Sequence, residues 1–454
     1  MPDITESQTG SPTPTAATAE RAPAGGERLT LPGFWAALPG PGRWLLSTTA
    51  ISTLGRGMTL PFTVIYINEV RGIPLDVAGL LMGLIAVVAL LVTIPMGALT
   101  DRLGARVVVI GGNVAQVLGA VVLAFATTVP AFVIAITLLG LSFGVGWPAF
   151  NAMIASIVSG RLRTQYFGIN FALVNLGIGL GGILSGFLTD VDRPGTFTAI
   201  FLADAACVLV PIALLLGPLR HVANRPRQAV TTADGTPAPT GGYLAILRNP
   251  AVRWITLLTF LSSFVGYGQM EAGFPAFARH VSEVSTRTIG LAFAVNTAVI
   301  VGCQFLVLRR IDGHRRTRVF LALVGLWAAA WLVLGATGLV AGTIAAAVGV
   351  LAFHVLFGLG ETVLQPTVPA IVNDLATERD RGRFNAVSAG AFQVGAIAAP
   401  VVAGWMLDRQ LGGAFIAMLL GCLGVVALLA LALERRITPE VNGLEPVVSP
   451  PSGR

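Results

Sequence analysis

An all-α membrane protein with twelve transmembrane helices, arranged as two pseudo-symmetric six-helix bundles, is the fold class that this sequence predicts. Three observations carry it. The 454-residue chain is 54% hydrophobic and 11% charged, with a mean hydropathy of +0.80; a soluble domain carries about a quarter charged residues. Apolar runs of the roughly 20 residues that a bilayer-spanning helix needs follow one another through positions 44–433. A stretch of the first half also reappears in the second.

Cutting the chain at charges and at Pro/Gly turns gives spans at about 44–68, 77–100, 107–128, 131–158, 165–189 and 196–218 in the first bundle, placed at 44–219. The second bundle, 252–433, holds spans at about 252–277, 288–308, 318–337, 342–371, 384–407 and 411–433. Residues 1–43 are rich in Pro, Thr, Ala and Gly with no apolar core segment, so they are expected to form a disordered tail. Residues 434–454 are read the same way. Residues 220–251 form a polar linker, whose "YLAILRNPAVRW" is expected to lie as a short amphipathic helix on the membrane surface.

All basic residues are Arg, and their placement sets the orientation. With the N-terminus cytoplasmic, the outer segments hold only Arg71, Arg193, Arg279, Arg287 and Arg409, and Arg56 lies within a span. Every other Arg falls inside, as the positive-inside rule requires. Both termini are therefore expected in the cytoplasm of a bacterium, with the chain as a multi-pass protein of the plasma (inner) membrane. The net charge of +7 then faces anionic lipid rather than nucleic acid. Cys207, Cys303 and Cys422 lie far apart in apolar runs and read as small core residues.

The repeat is visible when Arg163–Asp190 is laid over Arg381–Asp408 without gaps. Arg163 meets Arg381, Gly177 meets Gly395, Gly186 meets Gly404 and Asp190 meets Asp408. Upstream, "FGVG" at 143–146 matches "FGLG" at 357–360. A parallel duplication of six spans is an architecture of alternating-access transporters, with the site between the halves near mid-membrane.

Between spans two and three lies "GALTDRLGAR". It resembles the loop 2–3 signature of the major facilitator superfamily through Gly97, Leu99, Asp101, Arg102, Gly104 and Arg106, with Ala105 where a basic residue is usual. The resemblance covers the twelve spans. It implies the MFS fold and a conformational-switch role for Gly97, Asp101, Arg102, Gly104 and Arg106. Asp101 is expected to face the start of span eleven near Arg383, and Arg102 and Arg106 to meet acids or lipid phosphates. Span five, "NLGIGLGGILSGF", resembles the antiporter signature through Gly177, Gly181 and Gly186, with Gly182 where that signature has Pro. Small residues four apart also let two helices approach closely. In span four, Gly140 stands where proton-coupled drug exporters carry an Arg.

Charges inside spans cost about 2.5–3.5 kcal/mol each on insertion scales and so mark function. Arg56 lies about 18 Å from either end of span one, too deep to snorkel. It is expected to face the cavity between halves or an internal acid, with Gly55 and Gly57 allowing close approach. Glu271 in span seven is a candidate proton or cation site; an interfacial acid is the alternative. Glu361 in span ten is either a coupling carboxylate or an anchor for Arg residues of the next loop. His354 is either a titrating group or a structural, hydrogen-bonded one. Tyr66, Trp147 and Tyr267 are candidates to line an adaptable aromatic cavity.

No metal-ligand cluster, catalytic triad or P-loop is found, so no cofactor and no enzymatic activity are expected. The partners expected are a small-molecule substrate, protons and the lipid bilayer, with the chain a monomer. The expected function is secondary active transport by alternating access, in the form of proton-coupled efflux of small organic or drug-like compounds. The alternatives are uptake or facilitated transport of a small, anionic metabolite held by Arg56, and a non-transporting sensor or lipid-handling protein.

Overall fold

The computed structural model of the chain describes residues 31–158, 160–222, 248–311, 313–375 and 381–444. Ten helices among them are long and apolar enough to cross a membrane. They are span two (Leu75–Leu103), three (Ala105–Phe125), four (Val129–Ile157), five (Gly160–Leu188) and six (Pro194–Leu216) in the first half. In the second they are span eight (Thr286–Ile311), nine (Arg316–Thr337), ten (Ile344–Leu375), eleven (Arg381–Asp408) and twelve (Gly412–Glu434).

The remaining two spans are broken. Span one consists of Gly40–Thr59, Thr63–Ile65 and a wider π turn over Tyr66–Val70. Pro61 sits in its gap, and proline has no N–H to continue a helix and clashes with the preceding turn. Span seven consists of Pro250–Val265, Tyr267–Met270 and Gly273–His280. Backbone groups freed inside a membrane must find partners. In span seven the Val265 carbonyl accepts from Trp331 Nε1 at 3.0 Å, and the Phe264 carbonyl accepts from Gln269 Nε2 at 3.1 Å. The two broken spans occupy matching places in the duplication, and they carry Arg56 and Glu271.

The repeat is realised as contacts. Gly177 packs on span one at Ala50 and Leu54, and Gly395 packs on span seven at Phe260 and Ser263. Gly144 lies against Ala89 of span two, and Gly358 against Asn296 of span eight. The farther glycines of the same repeat cross between halves: Gly186 meets Gly290 of span eight, and Gly404 meets Leu75 and Gly79 of span two. The aligned aspartates differ. Asp408 Oδ1 accepts from the Leu75 N–H at 3.1 Å and so caps span two across the seam, whereas Asp190 Oδ1 accepts from Asp192 N–H in its own loop.

Helix begins earlier than residue 44: Leu31–Ala37 and the first turn of Gly40–Thr59 lie in the stretch read as tail. Phe34 and Leu38 are buried against a cluster that includes Val158 and Leu219. Apolar anchors in a polar stretch explain the difference. Of the expected surface helix, residues 250–254 are the start of span seven; the rest lies mostly outside the described residues. The C-terminal stretch also has structure. Asn442 Oδ1 accepts from the Thr317 N–H at 3.0 Å and from Thr317 Oγ1 at 3.1 Å, and Asn442 O accepts from Arg316 N–H at 2.8 Å. Asn442 thus caps span nine from beyond span twelve. An Asn442→Ala change is expected to lower stability by about 1 kcal/mol, read as a fall in melting temperature of the purified protein.

Candidate functional site

The start of span one, the end of span twelve and the Gly104 loop lie at one face, the Arg-rich one of the sequence reading. At the opposite face the two halves touch. Besides the glycine contacts, Arg279 at the end of span seven forks onto Glu69 at the end of span one, with Nε donating to Oε1 at 2.8 Å and Nη2 to Oε2 at 2.5 Å. Thr286 Oγ1 donates to the Thr189 carbonyl at 3.2 Å. Toward the Arg-rich face the halves part around two lobes.

The smaller lobe, about 260 Å³, runs from Leu45 and Leu215 inward to Arg56, with Thr49, Asn113, Gln116 and Asn170 on its walls. The larger, about 510 Å³, spans both halves from Asn385 and Val372 inward to Tyr267, with Thr93, Phe143 and Phe392. Phe143 belongs to both. The Arg56 guanidinium lies 4.8 Å over its ring, a cation–π arrangement worth about 0.5–2 kcal/mol.

Arg56 sits between two glycines for a steric reason. A Cβ at Gly55 would lie 2.6 Å from Asp204 Oδ1, and one at Gly57 would lie 2.6 Å from Ile178 Cα. Span one therefore lies tight against spans five and six, and Arg56 turns inward. Its Nη2 donates to Glu271 Oε1 at 3.2 Å, an ion pair between the halves with both side chains about a third exposed, 33% and 30%. Asp204 lies behind it, buried, with Oδ2 accepting from Gln116 Nε2 at 3.1 Å and Thr59 Oγ1 at 3.5 Å. Its Oδ1 has no partner among the described residues. Arg56, Glu271, Asp204 and Gln116 enclose a water-sized pocket of about 40 Å³.

Glu361 is buried away from this group, with Oε2 accepting from Asn296 Nδ2 at 2.7 Å and a second hydrogen bond from Tyr267. It binds no loop arginine among the described residues, and Tyr267 links it to the larger lobe. Of the aromatic and titratable candidates, Tyr66 is corrected and His354 takes the structural one of its two readings. Tyr66 is fully buried among Phe132, Phe197 and Phe201, and its Oη accepts from Arg71 Nε at 3.0 Å and Nη2 at 2.6 Å. It anchors the end of span one and lines no cavity. His354 is sheathed by Phe274, Phe293 and Phe353 at ring distances of 4.3–5.2 Å. It reaches neither lobe, because an apolar sleeve fills the space where a titrating group needs water. The Trp147 side chain lies outside the described residues.

In the charged loop, Gly104 adopts φ 85° and ψ 146°, a region essentially reserved for glycine, and this turns span two into span three. Arg106 Nε donates to the Leu215 carbonyl at 2.8 Å. It satisfies the C-terminal end of span six. Arg102 is exposed. The side chains of Asp101 and Arg383 lie outside the described residues, as do the surroundings of Gly97. In span five, Gly177 and Gly181 face span one, whereas Gly182 and Gly186 face Phe293 and Gly290 of span eight.

The family model of the Major Facilitator Superfamily matches residues 45–353 and 284–451. The chain belongs to the major facilitator superfamily. The chain is 23% identical over 272 residues to the Escherichia coli uncharacterized MFS-type transporter YdeE, a match covering 59% of this chain and 65%, just under two thirds, of that protein. It is also 23% identical to Bacillus subtilis multidrug resistance protein 1, over 80% of this chain and 89% of that one. The solved structure of a bacterial homologue of the human lysosomal transporter Spinster, inward-facing and unoccupied, shares the fold with TM-score 0.66 at 15% identity. That match covers 88% of this chain and 100% of the other. Members of this superfamily are membrane transporters and not enzymes.

Sequence reasoning missed the Glu69–Arg279 fork, whose two residues lie 210 positions apart on different halves. It also gave no place to Asp204; its position inside the apolar "FLADAAC" was the available signal.

Proposed function

We propose that this MFS protein is a secondary active transporter of a bacterial inner membrane. It works as a monomer by alternating access and couples small organic molecules to protons. The observation that carries the reading is the Arg56–Glu271 ion pair, which joins the two halves at the base of a cavity open at one face. With the Arg-rich face in the cytoplasm, as its arginines favour, both termini are cytoplasmic and the cavity is open inward. A proton on Glu271 loosens the bond between halves, and Asp204 offers Arg56 a second partner within its own half. Loading a proton is thereby tied to which face opens.

Export of drug-like compounds is supported by the name of the Bacillus relative and by the span-five glycines. A second reading, proton-linked movement of an anionic metabolite, is favoured by Arg56 as the charge that fronts the smaller lobe. The test is flux in liposomes of purified protein with an imposed pH gradient and a trapped pH dye. Solute movement is expected to change the lumenal pH, and Arg56→Ala and Glu271→Gln to lose at least about tenfold in flux. Normal flux by Glu271→Gln would overturn the coupling role.

A further inference from the structure

The charges at the site are not evenly presented. Among the described residues, Arg56 is the sole charged group on the smaller lobe, and the larger lobe has none. The two acids, Glu271 and Asp204, line neither lobe and meet Arg56 at the pocket of about 40 Å³. That space admits water and no organic ammonium group. The guanidinium carries five N–H groups, and its one hydrogen bond among the described residues is the single-point contact to Glu271 at 3.2 Å. Around it, Thr48, Thr49, Ser52, Asn113, Gln116 and Asn170 add hydroxyl and amide groups, while Phe143, Tyr267 and Phe392 give the neighbouring lobe an aromatic floor.

We propose that the transported molecule is an amphiphile with an acidic head, that the head takes Arg56 while the apolar body lies past Phe143 in the larger lobe, and that it binds together with a proton carried by Glu271. This rests on the transport reading above and chooses between its two versions. A planar guanidinium binds a carboxylate, sulfonate or phosphate through two parallel bonds, which the single contact to Glu271 does not match. As the head engages Arg56, Glu271 loses its cation. A carboxylate about two-thirds shielded from water and left without its cation takes up a proton more readily. One anion and one proton enter, so the charge of the site is unchanged. The charged groups facing Glu271 across the small pocket are Arg56 of span one and Asp204 of span six; spans two, three and four present Met82, Ile85, Gln116 and Leu139, none of which titrates. A lipophilic cation meets Arg56 first and is repelled. For an acidic amphiphile, solute and proton then travel in the same direction, set by their combined gradients.

The experiment is calorimetry on the purified full chain in detergent, in two buffers of different ionisation heat. The probes are naphthalene-2-sulfonate and a naphthyl-trimethylammonium ion of similar size. The sulfonate does not titrate near neutral pH, so any proton taken up belongs to the protein. Sulfonate binding is expected with uptake of about one proton and an affinity rising up to about tenfold per pH unit on acidification. Arg56→Ala is expected to lose at least about tenfold in affinity. Glu271→Gln is expected to bind the sulfonate with no proton uptake, and Asp204→Asn to keep the uptake. Preference for the ammonium ion, no sulfonate binding, proton release, or uptake that persists in Glu271→Gln each overturns the proposal. Absence of proton-linked flux in liposomes alongside intact sulfonate binding would instead remove the transport reading and leave the charge selectivity standing.

Discussion

Gly404→Val is expected to abolish transport while leaving a chain that folds and inserts. Gly404 packs where the two halves meet, and a Cβ there would run into the Leu75 carbonyl and stand 3.0 Å from Gly79 Cα and 3.2 Å from Gly79 N. All three are backbone atoms, which cannot rotate away. Overpacking of this kind costs roughly 1–3 kcal/mol, and here the cost falls only on the state in which this end is closed. The closed share is therefore expected to drop by about 5- to 150-fold. Flux through liposomes and a distance measurement between spin labels on spans two and eleven read the two effects. The control is Gly395→Val, on the same helix. A Cβ at Gly395 would lie 2.5 Å from the Phe260 carbonyl of its own half, so that variant is expected to lose stability in both states and express poorly. Normal flux by Gly404→Val would sink the assignment, as would a shared folding failure.

Glu69→Gln is expected to have the next largest effect. It keeps the shape of the side chain and removes the charge from the fork with Arg279, whose Nη1 also donates to the Val284 carbonyl at 2.7 Å. The two side chains are 22% and 15% exposed, so solvent screens the pair only in part. A charge-assisted bond of this kind contributes about 1.5–3 kcal/mol, and partial exposure brings the expected loss to about 1 kcal/mol. The end bearing Glu69 should then open several-fold more often. Labelling of a cysteine placed at Thr189 by a membrane-impermeant maleimide measures it from that side. The double variant with Arg279→Gln should label no faster than the single one, because the two residues act as one unit. Unchanged labelling of Glu69→Gln would show that the fork does not hold the seam.

The fold was largely legible because a bilayer leaves few choices. Long uncharged runs must be helices, and the glycines and charges that repeat between Arg163–Asp190 and Arg381–Asp408 record the duplication. The depth of Arg56 was legible for the same reason: a charge twelve residues from either end of a span has nowhere polar to go except inward. Which partner it meets was not. Glu271 lies on the other half, and pairing at that separation depends on how two broken helices face each other. Tyr66 misled, and His354 was left with two readings, because an aromatic or imidazole in a span looks alike in sequence whether it lines a cavity or fills a core. Their places were decided by neighbours such as Phe132 and Phe274 on other spans. The ends of the chain misled in the opposite sense. A Pro- and Thr-rich composition hid Phe34 and Asn442, single residues that tie their segments to the bundles.

The glycine seam has a consequence for the heat and entropy of switching. Where Gly186 meets Gly290 and Gly404 meets Gly79, closure brings backbone against backbone. Almost no side-chain rotamers are frozen, since glycine has none to lose, whereas a seam of long side chains gives up as much as about 1.5–2 kcal/mol for each one held still. The seam therefore supplies shape at little entropic cost, and the few polar contacts along it decide how long it stays shut. The balance between the two faces should accordingly vary little with temperature and strongly with anything that alters those contacts.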